Sequence, residues 1–403
     1  MFSKTAMAGA PIRIAQAINE HTKVQVRLVD SKRWGIFEHD HIHDENPEIT
    51  FSLAQEADII HLFNYLDGRS EDFAPVDFSD LEKRGKRLVR HFESTPMLVA
   101  DAMGIPLEGV LNDPIPKLVI AQYPERFFPT ARVVPNIIPQ DDPAYQPSEG
   151  EHEEMGMIFS PSWQRSAWDA RWDTKGLPET VELLRKVALR TGWRFQVLQN
   201  MPLAEVLREK RRAAIIIDEL ITGSYHLSGL EGLSLGKPVL AFLDERTQYV
   251  LREISGSQSC PFVNVRLEDG YEVLIHLLEN HLERRKLGQE NREWIEKHWS
   301  DRSLVQHFVE VYEQLLTDPS QVKRQPELAL ESACSRFVAI NLADRIYQAR
   351  ARRWFESEPL KRRLWRLLSP QVTELKRRVA DFMPEPIKAV LLKAYSWLRS
   401  STS

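Results

Sequence analysis

One feature restricts the fold more than any other. Short apolar runs alternate with amphipathic stretches, in two series separated by a single interruption. In the first series, KVQVRLVD (23–30), ADIIHLF (57–63), KRLVRHF (86–92), KLVIAQ (117–122) and ARVVPNII (131–138) read as strands, and PIRIAQAINEH (11–21) as a helix. In the second, MGMIFSPS (155–162), RFQVLQN (194–200), AAIIIDEL (213–220) and PVLAFL (238–243) read as strands. LPETVELLRKVALRTG (177–192), PLAEVLREKRRA (202–213), LSGLEGLSLG (227–236) and the stretches 271–299 and 301–316 read as helices. Strands alternating with helices predict parallel sheets covered on both faces. The interruption, PQDDPAYQPSEGEHEE (139–154), lacks periodicity and reads as a linker. The expectation is an α/β protein with two doubly wound domains, 1–140 and 155–317, facing each other across a cleft. A helical extension follows over 318–403. Such a cleft lies between the carboxyl ends of the strands, where ligands bind in open parallel sheets.

Composition narrows the function classes. A chain of 403 residues is long enough for two cores. Its formal net charge of −5 supplies no overall basic field for nucleic acid. Cys260 and Cys334 are too few for a disulfide framework or a cysteine zinc site, and suit a reducing cytosol. The opening MFSKTAMAGAPIRIAQAINEH lacks the apolar core of a signal peptide, and no apolar run approaches the ~20 residues of a membrane span. A cytoplasmic protein is expected. HDHIHDEN (39–46) has the residue types of a metal cluster, but its polarity reads as a solvated loop.

The chemistry concentrates in GSYHLSGLEGLSLGKPVLAF (223–242), where Glu231 is the one carboxylate in a small, neutral stretch. An apolar strand precedes it and Gly236 closes the helix. The amides of that helix's first turn are suited to phosphate oxygens. A carboxylate one turn further in is suited to ribose hydroxyls. The other reading of Glu231 is a solvated helix residue.

The stretch DELITGSYHLSGLEGLSLGKPV resembles the donor-site signature of family-4-type glycosyltransferases of the GT-B fold, through Asp218, Leu220, Gly223, Tyr225, Glu231, Gly236, Lys237, Pro238 and Val239. SPSWQRSAWDARWDTKGLPETVELL is similar to the strand, loop and Lys-Gly helix entrance of the same family. The resemblance spans about residues 1–317 and implies a retaining, metal-independent transferase with a nucleotide-sugar donor as co-substrate and no cofactor. It implies that Glu231 binds ribose and Lys175 the diphosphate, with Arg165 a weaker candidate. It implies too that Gly223, Ser224, Tyr225 and His226 lie at a helix that would stabilise the leaving diphosphate. MAGAPIRIAQAIN is similar to the family's glycine loop, with Gly9 and Ala10 close to the diphosphate or sugar; a dinucleotide fingerprint is missing. His91, in RHFEST, matches a histidine that faces the transferred sugar, ahead of His61. One departure stands out: the first of the family's two glutamates, eight positions before Glu231, is Gly223 here.

From Asn341 onward, fourteen Lys/Arg stand against six Asp/Glu. PLKRRLWRLLSPQVTELKRRVADFMPEPIKAVLLKAYSWLRS (359–400) is cationic and amphipathic, with Leu360, Leu364, Trp365, Leu367 and Leu368 on one helical face. That pattern suits an anionic membrane surface, a cap on the acidic body, or a partner helix. The expected function is transfer of a sugar to a glycan or lipid-linked acceptor. A nucleotide-sugar epimerase and a catalytically silent scaffold of the same fold are the rivals.

Overall fold

A computed structural model of the chain describes residues 1–147, 155–161 and 175–323, all within one unit, Met1–Leu330. The later part of the linker (148–154), the loop that carries Arg165, and nearly all of the C-terminal extension lie outside the described residues.

The first sheet comprises β1 (Phe2–Ser3), β2 (Val29–Asp30), β3 (His41–Ile42), β4 (Ile59–Phe63), β5 (Arg87–Phe92), β6 (Lys117–Ile120) and β7 (Arg132–Val134). All pairs are parallel, in the order β3-β2-β1-β4-β5-β6-β7. The order reverses at β1, so the switch-point crevice opens between β1 and β4. The second sheet comprises β8 (Met155–Phe159), β9 (Phe195–Val197), β10 (Ala213–Gly223), β11 (Val239–Leu243) and β12 (Val263–Asn264), all parallel, in the order β12-β11-β10-β8-β9. Its crevice lies between β8 and β10. Every residue of β10 is buried, as its run of isoleucines requires.

Helices cover both sheets: α1 (Ala10–His21), α2 (Pro47–Glu56), α3 (Phe78–Lys83), α4 (Pro96–Met103) and α5 (Leu107–Leu111), then α6 (Leu177–Thr191), α7 (Leu203–Arg211), α8 (Leu227–Ser234), α9 (Glu245–Ser255), α10 (Gly270–Glu279), α11 (His281–His298), α12 (Asp301–Leu304) and α13 (Gln306–Thr317). Sequence periodicity missed α9, although Asp244 caps it by accepting from the Thr247 amide at 2.8 Å. The expected strand over 23–30 shrinks to Val29–Asp30. Asn19 takes both backbone groups of Val26, at 2.7 and 2.8 Å, and so removes that residue from the ladder. The expected helix over 271–299 breaks at Asn280, and that over 301–316 breaks after Leu304. The stretch expected as a solvated loop at 39–46 instead holds the edge strand β3, with His39 buried 2.7 Å from Asp30.

One connection was not legible. α13 returns from the second domain to the first sheet. Tyr312 hydrogen-bonds Nδ1 of His61 at 2.9 Å, Glu310 pairs with Arg132 at 3.0 Å, and Phe308 packs on His91. The last helices of the stretch assigned to the second domain therefore help complete the first.

His91 belongs to this packing. Strand alternation places it with Val89 and, across the ladder, with His61 and Phe63, while Arg90 stacks on Phe92 on the other face. It is fully buried with neither ring nitrogen bonded, and burial lowers its pKa to about 3. His61 is lowered too, by burial and then by His91. Both rings are neutral in the folded chain, whereas in the unfolded chain they titrate near their ordinary pKa. Stability is therefore full above about pH 6.5 and falls below it, by up to about 1.4 kcal/mol per pH unit for each ring. His91→Phe is expected to make the loss of stability between neutral and acid pH shallower in urea titrations. An unchanged pH slope would contradict this placement.

Candidate functional site

The two crevices face each other, and a buried cluster of charges joins them. Glu231 sits in the second turn of α8, where it is only 5% exposed. Its Oε1 accepts from Nη2 of Arg13 at 2.7 Å and its Oε2 from Nζ of Lys210 at 2.6 Å. Arg13 comes from α1 of the first domain, Lys210 from the end of α7 in the second. Burial alone would raise the carboxyl's pKa, but the two cations outweigh it and hold the group ionised. Lys210 donates also to the carbonyl and hydroxyl of Ser228 at 3.0 Å each. Nε and Nη1 of Arg13 are buried and have no hydrogen-bond partner.

Lys175, the sequence candidate for diphosphate, lies in the same region. Its Nζ donates to Oδ1 of Asp218 at 2.8 Å and to the Ser160 carbonyl at 3.3 Å, at the mouth of the β8/β10 crevice. Asp218 is fully buried. The neighbouring Lys175 and His226 outweigh burial and hold its carboxyl well below the usual range. Its Oδ2 accepts the amide of His226, just before α8, at 2.6 Å. A Cβ on Gly229 would lie 2.7 Å from that oxygen, which explains why the first turn of α8 carries glycine there. Three buried cations, Arg13, Lys175 and Lys210, thus meet two ionised carboxylates. The cluster carries an excess of positive charge.

The turn after β10 behaves differently from expectation. Gly223 has φ +96° and occupies the left-handed region the turn needs. The amides of Thr222, Gly223 and Ser224 converge like an anion-binding nest. The anion is internal: Glu219 accepts all three, at 2.9, 3.0 and 2.8 Å, and the Thr222 hydroxyl at 2.7 Å. The Gly223 and Ser224 amides are therefore not open to a diphosphate. Glu219 was missed in the sequence; its one signal was a second carboxylate beside Asp218 and just before a Thr-Gly-Ser turn.

Ser224 and Tyr225 likewise have internal partners. The Ser224 hydroxyl accepts the Tyr123 amide at 3.0 Å, and the Tyr225 hydroxyl donates to the Ala121 carbonyl at 2.6 Å. Both tie the second domain to the first, and the Tyr225 ring is buried against Phe262 and Trp299. His226 keeps a partly exposed ring at the start of α8, 3.6 Å from Asp218. Gly9 (φ +78°) and Ala10 are buried where β1 gives way to α1, and the loop's Met7 and Ala8 also have positive φ. The ring of Phe37 covers Gly9, where a Cβ would come within 2.6 Å of it. His91 does not join the cluster, because its side chain faces α13. A cavity of about 310 Å³ opens beside Arg33, Phe37, His39 and Ile49, and no residue of the charged cluster lines it. Among the described residues no helix is long and apolar enough to cross a membrane, and no three His, Cys, Asp or Glu side chains are grouped to hold a metal ion.

No protein-family model and no curated protein sequence matches this chain. Solved structures do. Anabaena Alr3699/HepE in complex with UDP-glucose is 12% identical, with a TM-score of 0.50 over 78% of this chain and 98% of that one. A glycosyltransferase from Rickettsia africae ESF-5 is also 12% identical, with a TM-score of 0.49 over 79% and 98%. TarM of S. aureus is 9% identical, with a TM-score of 0.39, and this chain spans only 55% of its length. At these identities the likeness concerns fold: two facing parallel α/β domains, the GT-B architecture.

Proposed function

We propose that the chain is a glycosyltransferase that moves a sugar from a nucleotide-sugar donor to a glycan or lipid-linked acceptor, with retention and without a metal. The observation that supports this reading best is the buried excess of positive charge at the facing crevices. A nucleoside diphosphate brings the complementary charge. Lys175 would stand beside the phosphates, and Glu231 would take the ribose hydroxyls in exchange for one of its two cations, Arg13 and Lys210. The charge that develops on the departing diphosphate would fall to these cations and to the first amides of α8, with Glu219 keeping the preceding turn rigid. The HepE structure holds UDP-glucose, so that is the first donor to try. The basic segment 359–400 would bring the protein to the anionic surface on which a lipid-linked acceptor lies.

Lys175→Ala is expected to weaken UDP-glucose binding by about tenfold to a hundredfold while leaving uridine unaffected, because a charged hydrogen bond is worth about 1.5–3 kcal/mol. Calorimetry with both ligands separates the cases, and equal losses would remove Lys175 from the diphosphate. Glu231→Gln strands two buried cations and should lower unfolding free energy by about 3–5 kcal/mol, measured by urea melts. It should also weaken nucleotide binding in the protein that remains folded. Vesicle flotation checks the tail: full-length protein should float with anionic lipid, less so at high salt, and protein truncated after residue 355 should not.

A further inference from the structure

Glu93 is the residue that follows β5 at its carboxyl end, where the first domain opens toward the crevice. Its backbone amide is pinned by Oδ1 of Asn64 at 2.7 Å, and Asn64 also donates to the Ser94 hydroxyl at 3.1 Å. Asn64, just past the end of β4, has φ +43°. Two adjacent strand ends are thus locked together so that the Glu93 side chain starts from a fixed point. The residue is partly exposed, yet its Oε1 is buried and bonded to nothing. Among the described residues, the charge that acts on it is Arg13, which is 3% exposed and whose Nε and Nη1 are likewise unbonded.

Buried polar atoms without partners are rare because each costs about 1–3 kcal/mol. Here an acceptor at the end of β5 and two donors on α1 are left open at the ends of strands that border one crevice, close enough for the Arg13 charge to act on Glu93. Arg13 meanwhile holds the proposed ribose carboxylate, Glu231, through its third nitrogen. A group that satisfies all the open atoms must offer adjacent oxygens that both donate and accept. Neighbouring hydroxyls of a sugar do so in either protonation state of Glu93, whereas an ionised phosphate could meet only its neutral form. We propose that Glu93 and the free nitrogens of Arg13 form the subsite for hydroxyls of the sugar carried by the donor. The proposal rests on the glycosyltransferase reading and adds to it the residue that recognises the sugar. Burial raises the Glu93 carboxyl to about 8, so at neutral pH it can both donate to and accept from a hydroxyl, as a glutamine can.

The test compares the full-length wild type, Glu93→Ala and Glu93→Gln by calorimetry with UDP and UDP-glucose, and with the guanosine and thymidine counterparts. UDP, or whichever diphosphate binds, should bind all three proteins equally, because it carries no sugar to recognise. Glu93→Ala should bind the nucleotide sugar about tenfold more weakly, and Glu93→Gln should recover most of that loss. A structural role for Glu93 would weaken the diphosphate and its sugar conjugate alike, and that result overturns the proposal. So does an unchanged affinity for the nucleotide sugar in Glu93→Ala. Failure of the wild type to bind any diphosphate or nucleotide sugar would instead overturn the glycosyltransferase reading itself, and the subsite with it.

Discussion

The arrangement of the crevice depends on one carboxylate shared by two cations. Glu231 lies between Lys210 of its own domain and Arg13 of the other, all three buried. Desolvating three charges is expensive, and their attraction offsets that cost only with close geometry on each oxygen. Such a triad adds little net stability. It does fix which residues of the two domains meet. Adhesion comes from the seam around it: the Tyr225 hydroxyl on the Ala121 carbonyl at 2.6 Å, the Trp299 indole on the Asn136 carbonyl at 3.0 Å, and the Arg292 guanidinium across Ser234 and Gln140.

Adjacent carboxylates at the end of β10 divide the remaining work. The β10–β11 register slips on both sides of Glu219, and the two carboxylates take separate sets of partners. Asp218 turns toward Lys175 and the start of α8, so it orders the region where a phosphate would arrive. Glu219 turns under the following residues and takes their amides. The chain thereby stabilises a left-handed turn at Gly223 without recruiting an external anion. A carboxylate at position 223 itself would need a Cβ within 3.0 Å of Asp244, the capping residue of α9. Asp244 is also held by Arg126 of the first domain at 2.7 Å. Packing here explains the glycine where the resembling family carries its first glutamate.

Much of the architecture was legible because it is encoded locally. Apolar runs and their spacing follow from burial on two faces of a parallel sheet, and the glycine at the end of α8 from left-handed backbone. Glu231 and Lys175 stood out because each is a charge in a setting that otherwise calls for small or apolar residues. Lys210 could not be singled out: it sits in REKRR, and nothing local separates the buried lysine from its exposed neighbours. Arg13 gave a faint signal, as a charge on the otherwise apolar start of α1.

The sequence by itself determined the two alternating series, the strand-turn-helix that presents Glu231, and the small residues that let α8 press onto Asp218. These depend on neighbours a few positions apart. Tertiary structure decided which way each side chain is used. Arg13 reaches Glu231 across 218 positions, α13 crosses back to bury His91, and Tyr225 turns its hydroxyl to the opposite domain. A histidine at a strand end looks the same in sequence whether it faces a ligand or a helix arriving from more than two hundred residues away. The choice is made by which surface the returning chain covers, and burial then leaves the ring neutral.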